Sequence, residues 1–247
     1  CYGVESSDWV DSCEVPEEVE IIDIAAHWVE SGALLWNAPA DAETVTLYSS
    51  STAALDIDGD QMNGADLSVN LESGGVASDF ALAKFRHLAS LPAFQVSLQP
   101  EQLRQALQGQ LAVAAFDASG TMLEATRVQV PGVIDENFQT TAPLGVQYDG
   151  SSVSVSLWAP TAQSVALNLY DAELNLVESL APSSNENGTY VFDGDSTWTD
   201  LYYRFALTVY HPVSDQIESY EVTDPYSISL SLDSQYSQIV NLDADDN

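Results

Sequence analysis

Val153-Ser154-Val155-Ser156-Leu157-Trp158-Ala159-Pro160-Thr161-Ala162 is the stretch on which the fold turns. Its first five residues alternate apolar and polar without a break. Successive side chains of a strand point to opposite faces, so the alternation reads as a half-buried β-strand. Outward from it the pattern repeats. Val165, Leu167 and Leu169 line one face of the next strand, Asp171-Ala172-Glu173 turns the chain into Leu174 to Leu180, and a Ser/Asn/Gly loop covers residues 183–188. Tyr203, Phe205, Leu207 and Val209 share a face, with Tyr202, Arg204, Thr208 and Tyr210 on the other. His211 to Asp215 then turns into Gln216 to Val222. Short strands with regular turn signals mean a β-sandwich.

Toward the N-terminus, Pro131-Gly132 breaks the pattern. Residues 132–143 are mostly polar, lie between Pro131 and Pro143, and are expected to be an interdomain linker. Before them, Thr44-Val45-Thr46-Leu47-Tyr48 and Leu67 to Leu71 alternate as strands, and Asp117-Ala118-Ser119-Gly120 reads as a hairpin turn between Leu111–Phe116 and Met122–Val130. One helix stands out: Pro100 at its first turn, Leu103, Ala106 and Leu107 on one face, Gly109 as its stop. Residues 1–17 are acidic and lack a period, as a leader or linker would. The expected fold is therefore all-β, two immunoglobulin-like β-sandwich domains in tandem at 18–131 and 144–247, with one short helix in the first. Strand–helix alternation is missing, which rules an eightfold β/α barrel out of this stretch.

The composition bounds the partners. Hydrophobic residues make up 45% of the 247, enough for packed cores. No apolar run approaches the ~18 residues of a membrane span, and no signal peptide is visible at the start, so a leader was removed or the chain is a fragment. Five basic against 38 acidic side chains give a net charge of −33. Such a surface repels phosphate backbones and anionic membranes, which excludes nucleic-acid binding. A neutral sugar polymer meets no such penalty. The competing reading of the charge is solubility in a saline external medium. Cys1 and Cys13 are the only cysteines. In an external protein they could close a disulfide loop; two reduced thiols, or a lipid-bearing Cys1, are the alternatives. Too few Cys and His lie near one another for a metal site.

Chemistry-bearing motifs are sparse. Asp56-x-Asp58-Gly59-Asp60 has an acidic look, but Gly59 is fourth rather than sixth, and Leu67 stands where a calcium loop needs its last acid; a turn between strands is expected. His27, His87 and His211 lack a nucleophile elbow and are expected in core or turn hydrogen bonds. No catalytic residue is assigned, and no metal or cofactor is expected. Sugars stack their C–H faces on exposed aromatic rings. Trp28, Trp36 and Trp158 sit among apolar neighbours or at a strand end and read as core. Trp198, flanked by Asp195, Ser196, Thr197 and Thr199, is the candidate carbohydrate platform.

The residues also resemble a known family. Leu144-Gly145-Val146, Leu157-Trp158-Ala159-Pro160-Thr161-Ala162, Tyr202-Tyr203-Arg204-Phe205 and Tyr220-Glu221-Val222-Thr223-Asp224-Pro225-Tyr226 resemble, in order, the family-48 carbohydrate-binding module that precedes the barrel in glycoside hydrolase family 13 debranching enzymes. Thr208-Val209-Tyr210-His211-Pro212 and Tyr236-Ser237-Gln238-Ile239-Val240-Asn241-Leu242 narrow this to bacterial pullulanases. His27-Trp28, Leu34-Leu35-Trp36 and Phe85-Arg86-His87-Leu88-Ala89-Ser90-Leu91-Pro92-Ala93-Phe94 are similar to the β-domain ahead of that module. Thr199-Asp200-Leu201 stands where the family usually has a turn glycine, and Asp tolerates that geometry. The resemblance implies a secreted or cell-surface bacterial enzyme that hydrolyses α-1,6-glucosidic branch points, with its catalytic barrel beyond residue 247. It leaves room for calcium in that parent enzyme. It implies two partners, an α-glucan and the barrel of the same polypeptide, with Asp224, Pro225 and Tyr226 at the barrel contact. The 247 residues alone are expected to be inactive. A free-standing α-glucan-binding protein is the runner-up, and a surface protein with a protein partner the third class.

Overall fold

The computed structural model describes residues 19–21 and 23–242. Cys1 and Cys13, the disulfide candidates, and the acidic leader lie outside the described residues. The first unit contains β1 (Ile24–Glu30), β2 (Ala33–Leu35), β3 (Thr44–Ser50), β4 (Asp56–Asp58), β5 (Gln61–Asn63), β6 (Leu67–Ser73), β7 (Ala93–Gln95), β8 (Gln110–Phe116) and β9 (Met122–Gln129), with helices α1 (Asp79–Lys84), α2 (Pro100–Leu107) and α3 (Pro131–Asn137). The Asp56–Asp60 loop is the β4–β5 hairpin, turning at Gly59 with φ +60°.

Seven strands close into a barrel in the order β1-β2-β7-β6-β3-β8-β9. The first unit is thus all-β, but its strands join edge to edge rather than forming two separate sheets. Closure comes from one parallel pair, in which Ile24, Ala26 and His27 stand opposite Arg127, Val128 and Gln129. Its core holds Trp28, Leu34, Trp36, Leu47, Leu103, Leu107 and Val113, all buried. Each such side chain contributes about 1.5–3 kcal/mol relative to exposure. Strand β8, read as one apolar run, is buried on both faces: Val113 and Ala115 enter the main core, while Ala114 meets Met122 and Ala125 on the other side.

Helix α2 forms as its pattern predicts, with Pro100 in the first turn and Leu103, Ala106 and Leu107 buried. Two further helices were not legible. The expected linker begins with α3, whose Val133 is fully buried on the barrel core together with the following Phe138. Pro131, read as a breaker, sits in the first helical turn, where its missing N–H costs nothing. Gly132 lets the helix lie directly on β1: a Cβ there would stand 2.3 Å from the Val29 carbonyl oxygen. Helix α1 is short and capped by Ser78, whose Oγ accepts from the Ala81 N–H at 3.1 Å.

The second unit is a sandwich. One sheet runs β10 (Gly145–Asp149), β11 (Ser152–Trp158), β15 (Thr189–Asp195), β14 (Ser184–Glu186). The other runs β13 (Leu176–Leu180), β12 (Ala162–Tyr170), β16 (Tyr202–His211), β17 (Gln216–Val222), with β18 (Ser237–Gln238) also paired to β16. The alternating faces meet inside: Val153, Val155 and Leu157 pack against Val165, Leu167, Leu169, Tyr203 and Phe205. Phe192 and Phe205 bridge the sheets at 6.0 Å between ring centroids. Asp200, in place of the family glycine, adopts φ +69° and keeps the left-handed turn.

Candidate functional site

The sequence offered two candidates, the Trp198 ring and the Asp224–Tyr226 segment, and the structure adds the seam between the units. The structure removes the first. Asp195 caps a 3-10 turn over Ser196–Trp198, its Oδ1 accepting from the Thr197 N–H at 2.9 Å. The turn folds the indole inward, leaving Trp198 8% exposed in the sandwich core. Gly194 lies flat against the ring; a Cβ there would come within 2.2 Å of it. The polar neighbours that suggested exposure are the cap, and no sugar can stack on this ring as it sits. Trp28 and Trp36 are buried as expected. Trp158 is not in its own sandwich core. It follows Leu157 on the opposite face of β11, packs half-buried against the first unit's core, and donates Nε1–H to the Phe138 carbonyl at 2.8 Å. Of the histidines, His211 lies in the β16–β17 turn beside Ser214. His27 and His87 face each other closely enough that burial and the His87 charge hold the His27 imidazole below its usual range.

The Asp224–Tyr226 segment divides into an anchor and a face. Asp224, expected at the barrel contact, is buried, only 4% exposed, and pins the segment from beneath the exposed Tyr226. Its Oδ2 accepts from the Tyr203 hydroxyl at 2.7 Å, its Oδ1 from the Tyr226 N–H at 2.8 Å, and its own N–H donates to Ser237 Oγ at 2.9 Å. Burial raises the Asp224 carboxyl above the ordinary aspartate range, against the two donors that lower it. Burial, then the Asp224 charge, drives the Tyr203 phenol far up.

Beyond the pin the chain turns an apolar face outward. Tyr226 is 52% exposed, Ile228 66%, Leu230 45%, and Leu232 wholly exposed. The serines between them turn inward to hydrogen bonds: Ser227 Oγ donates to the Ser229 carbonyl at 2.6 Å, and Ser229 Oγ to Gln238 Oε1 at 3.0 Å. The alternation Tyr226-Ser227-Ile228-Ser229-Leu230-Ser231-Leu232 is visible in the sequence. Read alone it predicts the apolar side inward; here the polar side faces the protein. A row of large apolar side chains facing solvent marks an interaction surface.

At the seam the units are bonded side by side. Arg127 donates from Nη1 to the Pro212 carbonyl at 2.8 Å and from Nη2 to Asp215 Oδ2 at 3.1 Å. Asp215 Oδ1 accepts from Gln110 Nε2 at 3.0 Å and from the Tyr210 hydroxyl at 2.6 Å. Asp215 holds φ +57° at the tip of the β16–β17 hairpin, which aims its carboxylate at the barrel. On the other side of the seam Gln108 Nε2 donates to the Ala162 carbonyl at 2.9 Å, and Gln163 Nε2 to the Ser51 carbonyl at 2.7 Å. An open polar groove of about 490 Å³ lies there, between α2, the β3–β6 end of the barrel and β12. Among the described residues no group of three metal-ligating side chains occurs, and no helix is long and apolar enough to cross a membrane.

A closed barrel followed by a two-sheet sandwich, joined in this way, defines a tandem β-domain pair. Comparison with known proteins gives that class its family. Residues 23–136 match the pullulanase N2 domain, and residues 143–227 match carbohydrate-binding module 48, the isoamylase N-terminal domain. The chain is 36% identical over 224 residues to chloroplastic pullulanase 1 of Arabidopsis thaliana, which covers 90% of this chain and 23% of that protein. It is 35% identical over 221 residues to a pullulanase of Klebsiella pneumoniae, covering 88% and 20%. The ligand-free crystal structure of PulA from Klebsiella pneumoniae superposes with a TM-score of 0.83 at 35% identity, over 90% of this chain and 21% of that one. PulA from Klebsiella oxytoca gives 0.82 at 34%, over 90% and 21%. The chain belongs to the pullulanases, as an N-terminal region of that family, and spans about a fifth to a quarter of the relatives it matches.

Proposed function

We propose that this chain is the non-catalytic N-terminal region of a glycoside hydrolase family 13 enzyme that hydrolyses α-1,6-glucosidic linkages in pullulan, starch or glycogen. Its role there is to brace the catalytic barrel of the same polypeptide and to bind α-glucan. The observation that carries the bracing role is the outward apolar row Tyr226–Leu232, held up by the buried Asp224 pin. A neutral glucan suits a chain of net charge −33, which repels anionic ligands. The same charge, with so few basic residues, supports a secreted or cell-surface location. The reading assigns these residues no cofactor and leaves calcium to the parent enzyme.

The test is reconstitution. The 247-residue chain is mixed with the separately expressed catalytic portion, and complex formation is followed by sedimentation velocity. A saturable one-to-one complex is expected. The double variant Tyr226→Asp, Ile228→Asp alters only exposed side chains and should abolish it. No complex from the unaltered chain would overturn the bracing role. Reducing sugar released from pullulan by the pure chain would overturn the non-catalytic reading.

A further inference from the structure

We propose that a pocket on the outer wall of the barrel, where His27, His87 and Gln129 converge, binds a divalent transition-metal ion of the imidazole-preferring class, zinc, nickel or copper. The site is independent of the bracing and glucan-binding roles proposed above, neither of which needs an ion.

Three elements meet there. Strands β1 and β9 form the parallel pair that closes the barrel, and in it His27 stands opposite Gln129. Opposed residues of paired strands project from one face of the sheet. The next residue, Trp28, enters the barrel core, so His27 and Gln129 project outward from the wall. The 3-10 turn Arg86–Leu88 lies over this wall, anchored by Leu88, which is buried with Val29 and Leu35. It brings His87 to the same pocket, of about 110 Å³. The two imidazoles face each other closely enough for the charge of one to act on the other.

The observation that points to a ligand is that all three side chains are unspent. The histidines were expected in core or turn hydrogen bonds, and His211 makes one with Ser214. The side chains of His27, His87 and Gln129 have no hydrogen-bond partner among the described residues. Two imidazoles and an amide thus converge on one small cavity. Neutral imidazole nitrogen is the commonest metal ligand, it suits zinc, copper and nickel, and an amide oxygen can stand beside it. No carboxylate lines the pocket, so calcium and magnesium find too few oxygens. No lysine or arginine lines it either, so an anion finds no fixed counter-charge. Arg86, beside His87 in the chain, donates its Nε–H to the Ala83 carbonyl at 3.3 Å. The net charge of −33 raises the concentration of cations around the whole molecule. A bound ion clips the 3-10 turn to the strand pair that closes the barrel, and it stabilises the folded state by mass action.

The experiment titrates the 247-residue chain with Ni2+ at about pH 8, where imidazole is neutral, with Mg2+ in excess to occupy surface carboxylates. Paramagnetic Ni2+ broadens the signals of nuclei close to it, so the ring C–H signals of the three histidines are followed by proton NMR. Circular dichroism gives the thermal midpoint in parallel. The His27 and His87 signals are expected to broaden together at sub-stoichiometric Ni2+ while His211, the internal control, stays sharp, and the midpoint is expected to rise. His87→Ala alters an exposed side chain and should leave the fold intact. It should weaken Ni2+ binding about tenfold or more, because the second imidazole acts as a tethered ligand, and it should cancel the rise in midpoint. His27→Gln, close in size to the original, should do the same. No broadening, or broadening of all three histidines in step, would overturn the site. Ni2+ affinity and midpoint shift that survive His87→Ala would overturn it too, and would assign the ion to carboxylates elsewhere.

Discussion

Asp224 and Trp198 show how one residue's role is set by what surrounds it. Asp224 ties Tyr203, Tyr226 and Ser237 together from a buried position. Asp224→Ala leaves the Tyr203 hydroxyl and the Tyr226 N–H without their acceptor, and is expected to cost about 2–4 kcal/mol of stability. Urea unfolding of the two proteins measures the difference. The carboxyl also sets a pH dependence. Because its folded-state pKa is raised, the folded state holds the proton more tightly than the unfolded chain. Its contribution to stability therefore falls as pH rises from the ordinary aspartate value through the raised one. Asp224→Asn should flatten that part of the urea-midpoint profile. Trp198→Ala is expected to lose about 3–5 kcal/mol, as a large ring leaving a packed core does. Glucan affinity of the remaining folded protein should be unchanged, which calorimetry can show. The sequence placed Trp198 among polar neighbours, and that was true. It could not show that Asp195 spends its carboxylate on capping the turn that tucks the ring in.

At the scale of elements, the β16–β17 hairpin is the coupling device. Its tip carries Asp215, which reaches Arg127 and Gln110 on the barrel. Asp215→Ala should uncouple the units, splitting a single calorimetric unfolding transition into two, while the family-typical strands on either side stay intact. The strand alternations at 153–157, 165–169 and 203–209 were legible because each strand has one face in a core and one toward solvent, so the period of two is written in the residues. Helix α3 was not. Pro131-Gly132 looks like punctuation locally, yet proline suits a first helical turn and glycine suits the close approach to Val29. Gly132→Ala would push a methyl group into backbone. It is expected to destabilise the barrel by about 1–3 kcal/mol, read as a lower thermal midpoint.

At the scale of the whole molecule, charge governs the response to solution conditions. Thirty-eight acids face five basic side chains, and among the described residues three ion pairs occur. Self-repulsion therefore outweighs pair attraction, and the protein should gain thermal stability as salt rises from about 0.01 M to about 1 M, over which the screening length falls from about 30 Å to about 3 Å. A midpoint that falls with salt would show that the few pairs dominate instead. The sequence by itself determined the all-β class, the tandem of two units, the strand faces and helix α2, because those follow from local periodicity and from the composition of short segments. The tertiary structure alone decided the barrel closure, the seam, the inward Trp198 and the outward Tyr226–Leu232 row. Each of these depends on groups far apart in the chain. Strands β1 and β9 pair across about a hundred residues, Arg127 meets Asp215 across 88, and which side of an alternating segment faces water is settled by the partner that covers the other side, which no local pattern records.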